Sequence, residues 1–300
     1  MSTVSPIARP SSGPRVFLDY DQAGLDAAYD QAVWAPAMAD IRERLAATSE
    51  AVRTRLGAPK RYAYGLAPME GLDVFAARRP NAPVFIHIHG GGWLRGVAKD
   101  FAFAAEMFVE AGVAFVVPDF APVSEFGGEL APMVAQVRRA VAWVYRNAAA
   151  FGGDASRLYL GGHSSGAHLA AMALMCDWES NGVPASFIKG GLLISGLYDL
   201  KPARLASAFT YVKFTDASEA GLSPQRHVAR LSAPLAVLAG SKDSPEFIRQ
   251  ARDFAAAAKA AGKTAKLIEA PGYNHFEMSE SLGNPYGPGG RAALALMGLK

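Results

Sequence analysis

Five consecutive residues, Gly162-His163-Ser164-Ser165-Gly166, carry a Gly-x-Ser-x-Gly pattern in a setting that suits nucleophilic chemistry. Leu158 to Gly161 predicts a short buried strand. Ala167 to Cys176 predicts a helix, with Leu169, Met172, Ala173 and Cys176 at helical spacing. A serine at so tight a strand-to-helix turn is exposed and strained, and small flanking residues let neighbouring backbone come close. The helix N-terminus beneath it favours a developing negative charge. A glycine-rich turn with an incidental serine has the same pentapeptide, so residues elsewhere must decide.

A serine hydroxyl is a poor nucleophile unless a base sits beside it and donors face the oxyanion that forms on attack. Both requirements have candidates. His89-Gly90-Gly91-Gly92-Trp93 follows a strand directly, and its glycines leave backbone N–H groups free to face a ligand. The expected donors are the N–H groups of Gly91 and Gly92, with that of Ser165. The base candidate is His275, in Gly272-Tyr273-Asn274-His275-Phe276 after the last predicted strand. Asp243, in Gly240-Ser241-Lys242-Asp243, follows the preceding strand and is the expected acid partner. The order Ser164, Asp243, His275 is the order of an α/β-hydrolase triad. Asp199 is the rival acid, with a role in capping or anchoring its loop as the alternative.

The remaining histidines are read structurally. His87 and His89 alternate on a strand and share a face, but no further Cys, His or carboxylate joins them as a metal set. His89 is expected to brace the glycine loop and His87 to be structural. His163 fills the variable position of the pentapeptide, His168 packs or caps one turn into the helix, and His227 lies in a polar stretch. The glycine run lacks Gly-x-Gly-x-x-Gly, and Gly262-Lys263-Thr264 lacks the upstream glycine of a P-loop. Nothing therefore calls for a nucleotide, a metal or a cofactor.

The elements that must position these residues alternate. Leu25 to Leu56 predicts helix, with Trp34, Met38, Ile41 and Leu45 on one stripe and Pro36 at a start or kink. Strands are expected at Arg61–Tyr64, Leu72–Ala76, Val84–His89, Ala114–Val117, Leu158–Gly161, Gly191–Ser195, Leu235–Ala239 and Lys266–Ala270. Helices are expected at Phe103–Ala111, Leu130–Asn147, Ala167–Cys176, Pro245–Ala261 and Arg291–Gly298, with an irregular stretch up to Leu231. Strand and helix in succession imply a mostly parallel sheet covered on both faces, with its functional crevice at the carboxyl ends of the strands.

Composition narrows the class. The 300 residues are 51% hydrophobic and 19% charged, enough for one large α/β core. A net charge of +3 with no basic run gives no reason to expect nucleic acid as a partner. Residues 1–15 are rich in Ser and Pro without an apolar signal-peptide core, and read as a flexible leader. No apolar stretch approaches a membrane span. The lone cysteine, Cys176, cannot pair within the chain and is expected buried and inert on the apolar helix face. A cytoplasmic protein is expected, with residues 16–300 as one domain, about 20–57 as a helical cap, and homodimerisation left open.

Taken together and in order, His-Gly-Gly-Gly-Trp, Gly-His-Ser-Ser-Gly-Ala-His-Leu, Ser-Gly-Leu-Tyr-Asp-Leu, Gly-Ser-Lys-Asp-Ser-Pro-Glu-Phe and Asn-His-Phe resemble the arylformamidase-like (kynurenine formamidase-like) branch of the α/β-hydrolases, related to the hormone-sensitive-lipase-type esterases. The resemblance runs over about residues 20 to 298. It implies Ser164 as nucleophile, His275 as base, Asp243 as acid and the glycine loop as oxyanion hole. It also implies that the N-terminal helices and the segment after Asp199 cover the pocket. Family members carry alanine and a second glycine near positions 165 and 167, where this chain has Ser165 and Ala167. The expected activity is cleavage of small carboxylic esters or N-formyl aryl amides. Trp93, Tyr198 and Phe276 are the expected substrate-binding aromatics, with Phe126, Trp178, Phe209 and Tyr211 as further candidates. The alternative is a non-catalytic small-molecule-binding protein on the same scaffold. A metal-dependent hydrolase is a third reading.

Overall fold

The computed structural model describes residues 13–299. Most of the expected leader, residues 1–12, lies outside them; Arg15 already opens a strand. The strands are β1 (Arg15–Phe17), β2 (Tyr20–Asp21), β3 (Lys60–Ala63), β4 (Gly71–Phe75), β5 (Ala82–Ile88), β6 (Ala114–Pro118), β7 (Gly153–His163), β8 (Ile188–Ile194), β9 (Leu235–Gly240) and β10 (Ala265–Ala270). The helices are α1 (Gln22–Tyr29), α2 (Gln31–Trp34), α3 (Met38–Leu56), α4 (Ala105–Glu110), α5 (Leu130–Asn147), α6 (Ser165–Leu174), α7 (Leu200–Leu205), α8 (Asp216–Leu222), α9 (Pro245–Ala260), α10 (His275–Glu280) and α11 (Pro288–Leu296).

Eight strands form one sheet in the order β10-β9-β8-β7-β5-β6-β4-β3. It is parallel from β10 through β6, and β4 and β3 are added antiparallel at one edge. The inner strands are buried along their length because helices cover both faces. Period-two alternation divides their side chains. Val84, Ile86 and Ile88 join the core layer with α5, α6 and α9, while Phe85 joins the layer with α3, α4, α10 and α11. In α5 the spacing of Met133, Val137, Val141 and Val144 buries one whole stripe. After β5 the chain crosses to β6 on one side, then returns to pair β7 on the other. The carboxyl ends of β5 and β7 therefore flank the sheet's switch point, where a crevice opens.

Several elements depart from the sequence reading. The stretch expected as mostly helical, with a start or kink at Pro36, is three helices. Asp30 leaves helical geometry and caps α2 through its side chain, and Pro36 sits in the turn before α3. The stretch after Ser195 contains α7 and α8, capped by Asp199 and Thr215. The loop expected around His275 is the start of α10. There Asn274 and Glu277 form a reciprocal capping box. Cys176 lies beyond the end of α6 and is half-buried, with burial raising its thiol pKa. Among the described residues, no helix is long and apolar enough to cross a membrane.

Candidate active site

Ser164 occupies the turn between β7 and α6 with φ 57 and ψ −127, a left-handed strain uncommon for a residue with a side chain. Its N–H is held by the Ile194 carbonyl at 2.9 Å, and its carbonyl accepts from Ala167. The turn is this tight because α6 presses against the end of β5. A Cβ on Gly166 would come within 2.1 Å of the Ile88 carbonyl oxygen, so only glycine fits there.

The structure brings the three predicted reactive residues together. His275 Nε2 lies 3.0 Å from Ser164 Oγ, and His275 Nδ1 lies 2.8 Å from Asp243 Oδ1. A carboxylate only accepts, so Nδ1 carries the proton and Nε2 faces the hydroxyl as acceptor. The second carboxylate oxygen takes the Ser195 hydroxyl at 2.5 Å and the Gly240 N–H at 3.3 Å. Asp243 and His275 are both buried. Asp199 is elsewhere in the fold: its carboxylate accepts from Lys201 N–H and caps α7.

Two residues around His275 were not singled out by sequence. Ser195, at φ 47 just past β8, holds Asp243; it opens the Ser-Gly-Leu-Tyr-Asp-Leu segment, but nothing in that segment assigns its hydroxyl to a carboxylate. His163, read as the variable position of the pentapeptide, packs its ring 4.6 Å from that of His275 and donates from Nε2 to the His275 carbonyl at 2.9 Å. Burial, and secondarily the neighbouring His275, holds the His163 pKa well below the ordinary value, so its ring is neutral.

The glycine loop abuts the serine turn. Gly91 (φ 133) and Gly92 (φ 63) adopt backbone that side chains disfavour, and a Cβ on Gly91 would overlap the Arg95 carbonyl. The Gly91 carbonyl accepts from Leu94 and Arg95 N–H, and Tyr211 donates its hydroxyl to the Gly92 carbonyl at 2.7 Å. The N–H groups of Gly91 and Gly92 have no protein acceptor among the described residues, and both glycines line the crevice. Ser165 is the first residue of α6, where N–H groups lack an intrahelical acceptor. His89 braces the loop by donating from Nδ1 to the Gly90 carbonyl at 3.0 Å, its ring stacked on Phe101 and Phe120. His87 is fully buried beside it, its pKa pushed down to about 3 by desolvation.

Ser164 and His275 open into a cavity of about 1020 Å³. Of the expected substrate-binding aromatics, Phe276 lines it, as do Phe209 and Tyr211. Trp93 and Tyr198 do not. The positive φ of Trp93 (61) turns its indole away into the core, where Nε1–H donates to His168 Nδ1 at 3.1 Å. Tyr198 is fully buried and stacks on Phe254 at 4.2 Å. Trp178 is likewise core, edge-on to Phe187. The cavity instead takes Tyr29 from α1, Met38 and Arg42 from α3, and Phe101 and Phe247 from the body of the fold. The wall is therefore more apolar than polar, with six Phe and Tyr side chains among its lining.

The BD-FAE family profile matches residues 72–182, which include the glycine loop and the serine turn. Kynurenine formamidase from Danio rerio is 33% identical over 271 residues, 86% of this chain and 90% of that protein. The chain belongs to the arylformamidase/esterase-like family of α/β-hydrolases. Kynurenine formamidase from Salmo salar is 35% identical, over 73% of this chain and 75% of its own. Isoprenylcysteine alpha-carbonyl methylesterase from Arabidopsis thaliana is 26% identical, over 72% of this chain and 56% of its own. Among solved structures, one from a Silicibacter species, assigned provisionally as a thioesterase, superposes with a TM-score of 0.78 at 26% identity, covering 91% of this chain and 98% of that one. A hyperthermophilic esterase from Pyrobaculum calidifontis shares the fold, with a TM-score of 0.66 at 20% identity over 87% of this chain and 92% of its own. The protein is thus a carboxylesterase/arylformamidase-like hydrolase.

Proposed function

We propose that this hydrolase cleaves small carboxylic esters and N-formyl aryl amides through an acyl-enzyme on Ser164. The carrying observation is the chain of contacts Asp243 Oδ1, His275 Nδ1, His275 Nε2 and Ser164 Oγ, with links of 2.8 and 3.0 Å. Ser164 Oγ attacks the substrate carbonyl carbon while His275 Nε2 takes its proton. Asp243 stabilises the imidazolium formed and keeps its tautomer. The N–H groups of Gly91, Gly92 and Ser165 receive the oxyanion. His275 then protonates the departing alcohol or amine, and water releases the acyl or formyl group by the same steps. The kynurenine formamidase relatives support the formamide arm. The ester arm is supported by the isoprenylcysteine methylesterase relative.

The test is a parallel assay of N-formylkynurenine and short- to medium-chain p-nitrophenyl esters, with fluorophosphonate labelling. Turnover and labelling are expected in the parent and absent in Ser164→Ala. Labelling that persists in Ser164→Ala, on Ser165 or elsewhere, would remove Ser164 from the role.

A further inference from the structure

Two arginines share the cavity with the reactive serine. Arg42, on α3, stands with its guanidinium carbon 4.7 Å from the centre of the Phe276 ring, the residue that follows His275. Arg95 follows the glycine loop, its backbone N–H bound to the Gly91 carbonyl at 3.1 Å. One cation thus enters from the helices above the crevice and the other from the loop below. Neither makes an ion pair or a side-chain hydrogen bond among the described residues. Most described arginines instead meet Asp or Glu, as Arg44 does on Glu280 and Arg249 on Glu246 and Asp253.

The acids of the same cavity, Asp26, Asp30 and Asp100, engage other groups, and none of them is among the charges that act on Arg42. Asp26 accepts from Ser207 N–H and hydroxyl and from Gln22, and Asp30 caps α2. Asp100 exerts its field on the His89 ring. Arg42 feels its surroundings accordingly: partial burial, and then the charge of Arg95, push its pKa below the ordinary value. Two like charges on one cavity, neither ion-paired with a carboxylate, raise each other's energy, and an anion that meets both would lower it. Planar guanidinium groups suit a carboxylate, which each can meet with paired N–H donors.

We propose that Arg42 and Arg95 seat a carboxylate of the substrate, so that the enzyme selects anionic esters or amides with an aromatic or apolar body. This rests on the reading that the Ser164 cavity is the substrate site.

Two matched pairs test it. Charge on the acyl side is probed with 4-nitrophenyl hydrogen glutarate against 4-nitrophenyl 5-methylhexanoate. Charge on the leaving-group side is probed with 4-acetoxybenzoate against its methyl ester. In at least one pair the ratio of kcat/KM, charged over neutral, is expected to fall about tenfold in Arg42→Gln and in Arg95→Gln, through KM of the charged partner. Arg42→Lys, which keeps a cation, is expected to hold the ratio above Arg42→Gln. High salt is expected to lower the ratio in the parent and not in the double variant. Ratios unchanged within about twofold in the Arg42→Gln/Arg95→Gln double variant, for both pairs, would overturn the proposal. If fluorophosphonate still labels Ser164 in that case, only the carboxylate seat fails. Without Ser164-dependent labelling or turnover, the underlying reading fails instead.

Discussion

Replacing Asp243 by asparagine is the sharpest single perturbation of this site. The Oδ2 position receives two donors, the Ser195 hydroxyl and the Gly240 N–H. An asparagine therefore keeps its carbonyl oxygen there and turns its NH2 toward His275 Nδ1, where Oδ1 now stands at 2.8 Å. Nδ1 must then accept, and the imidazole proton moves to Nε2. In that tautomer the ring cannot take the proton of Ser164 Oγ, 3.0 Å away, although the geometry is nearly unchanged. Forcing the wrong tautomer in a Ser-His-Asp triad costs about 10⁴ in kcat, or roughly 5.5 kcal/mol of barrier. The control is Asp199→Asn. Asp199 caps α7 by accepting from Lys201 N–H at 3.1 Å, and asparagine caps as well as aspartate. Its turnover is expected within about twofold of the parent and its stability within about 0.5 kcal/mol. The assay is p-nitrophenyl ester hydrolysis on both variants, with circular dichroism to verify folding. A crippled Asp199→Asn beside a mild Asp243→Asn would refute the assignment.

Other outcomes follow from the same geometry. Ser195→Ala leaves the buried Asp243 Oδ2 with only the long Gly240 contact, and kcat is expected to drop about 10- to 100-fold; parental kcat would show that the hydroxyl is incidental. Burial depresses the pKa of His87 to about 3 and of His168 to about 4, so both stay neutral in the fold while the unfolded chain takes up their protons below about pH 6.5. The unfolded state then binds more protons, and stability falls with acidification, by on the order of 5 kcal/mol from this pair at pH 4.5. Urea midpoints at pH 7.5, 6 and 5 check this, with a shallower acid slope in His168→Gln; midpoints that hold steady or rise toward acid would contradict it. Ester turnover is expected to persist in EDTA, and its loss would overturn the metal-free mechanism.

The geometry around Ser164 was legible because it is written in short segments that the backbone itself constrains. Gly162 to Gly166 predicts a serine turn wherever a strand meets a helix, and His89 to Gly92 predicts open N–H groups after a strand. Asp243 and His275 follow successive strands of a parallel sheet, so their carboxyl-end loops had to meet at one edge. Even the missed helix α10 carried a signal, the Asn274…Glu277 spacing of a capping box. The walls of the cavity carried none. Trp93 adjoins the glycine loop in sequence, yet one positive φ sends its indole into the core, while Phe247 and Tyr29 arrive from distant segments. Ser195 reaches Asp243 across 48 residues, and Arg42 and Arg95 share the cavity across 53 positions of chain. The sequence by itself determined the strands of the sheet and the candidate residues that meet at Ser164, since these depend on side-chain period and on backbone freedom at a few residues. Only the tertiary structure decided what surrounds the serine, because a cavity is bounded by whichever side chains the packing of separate helices and loops leaves facing it.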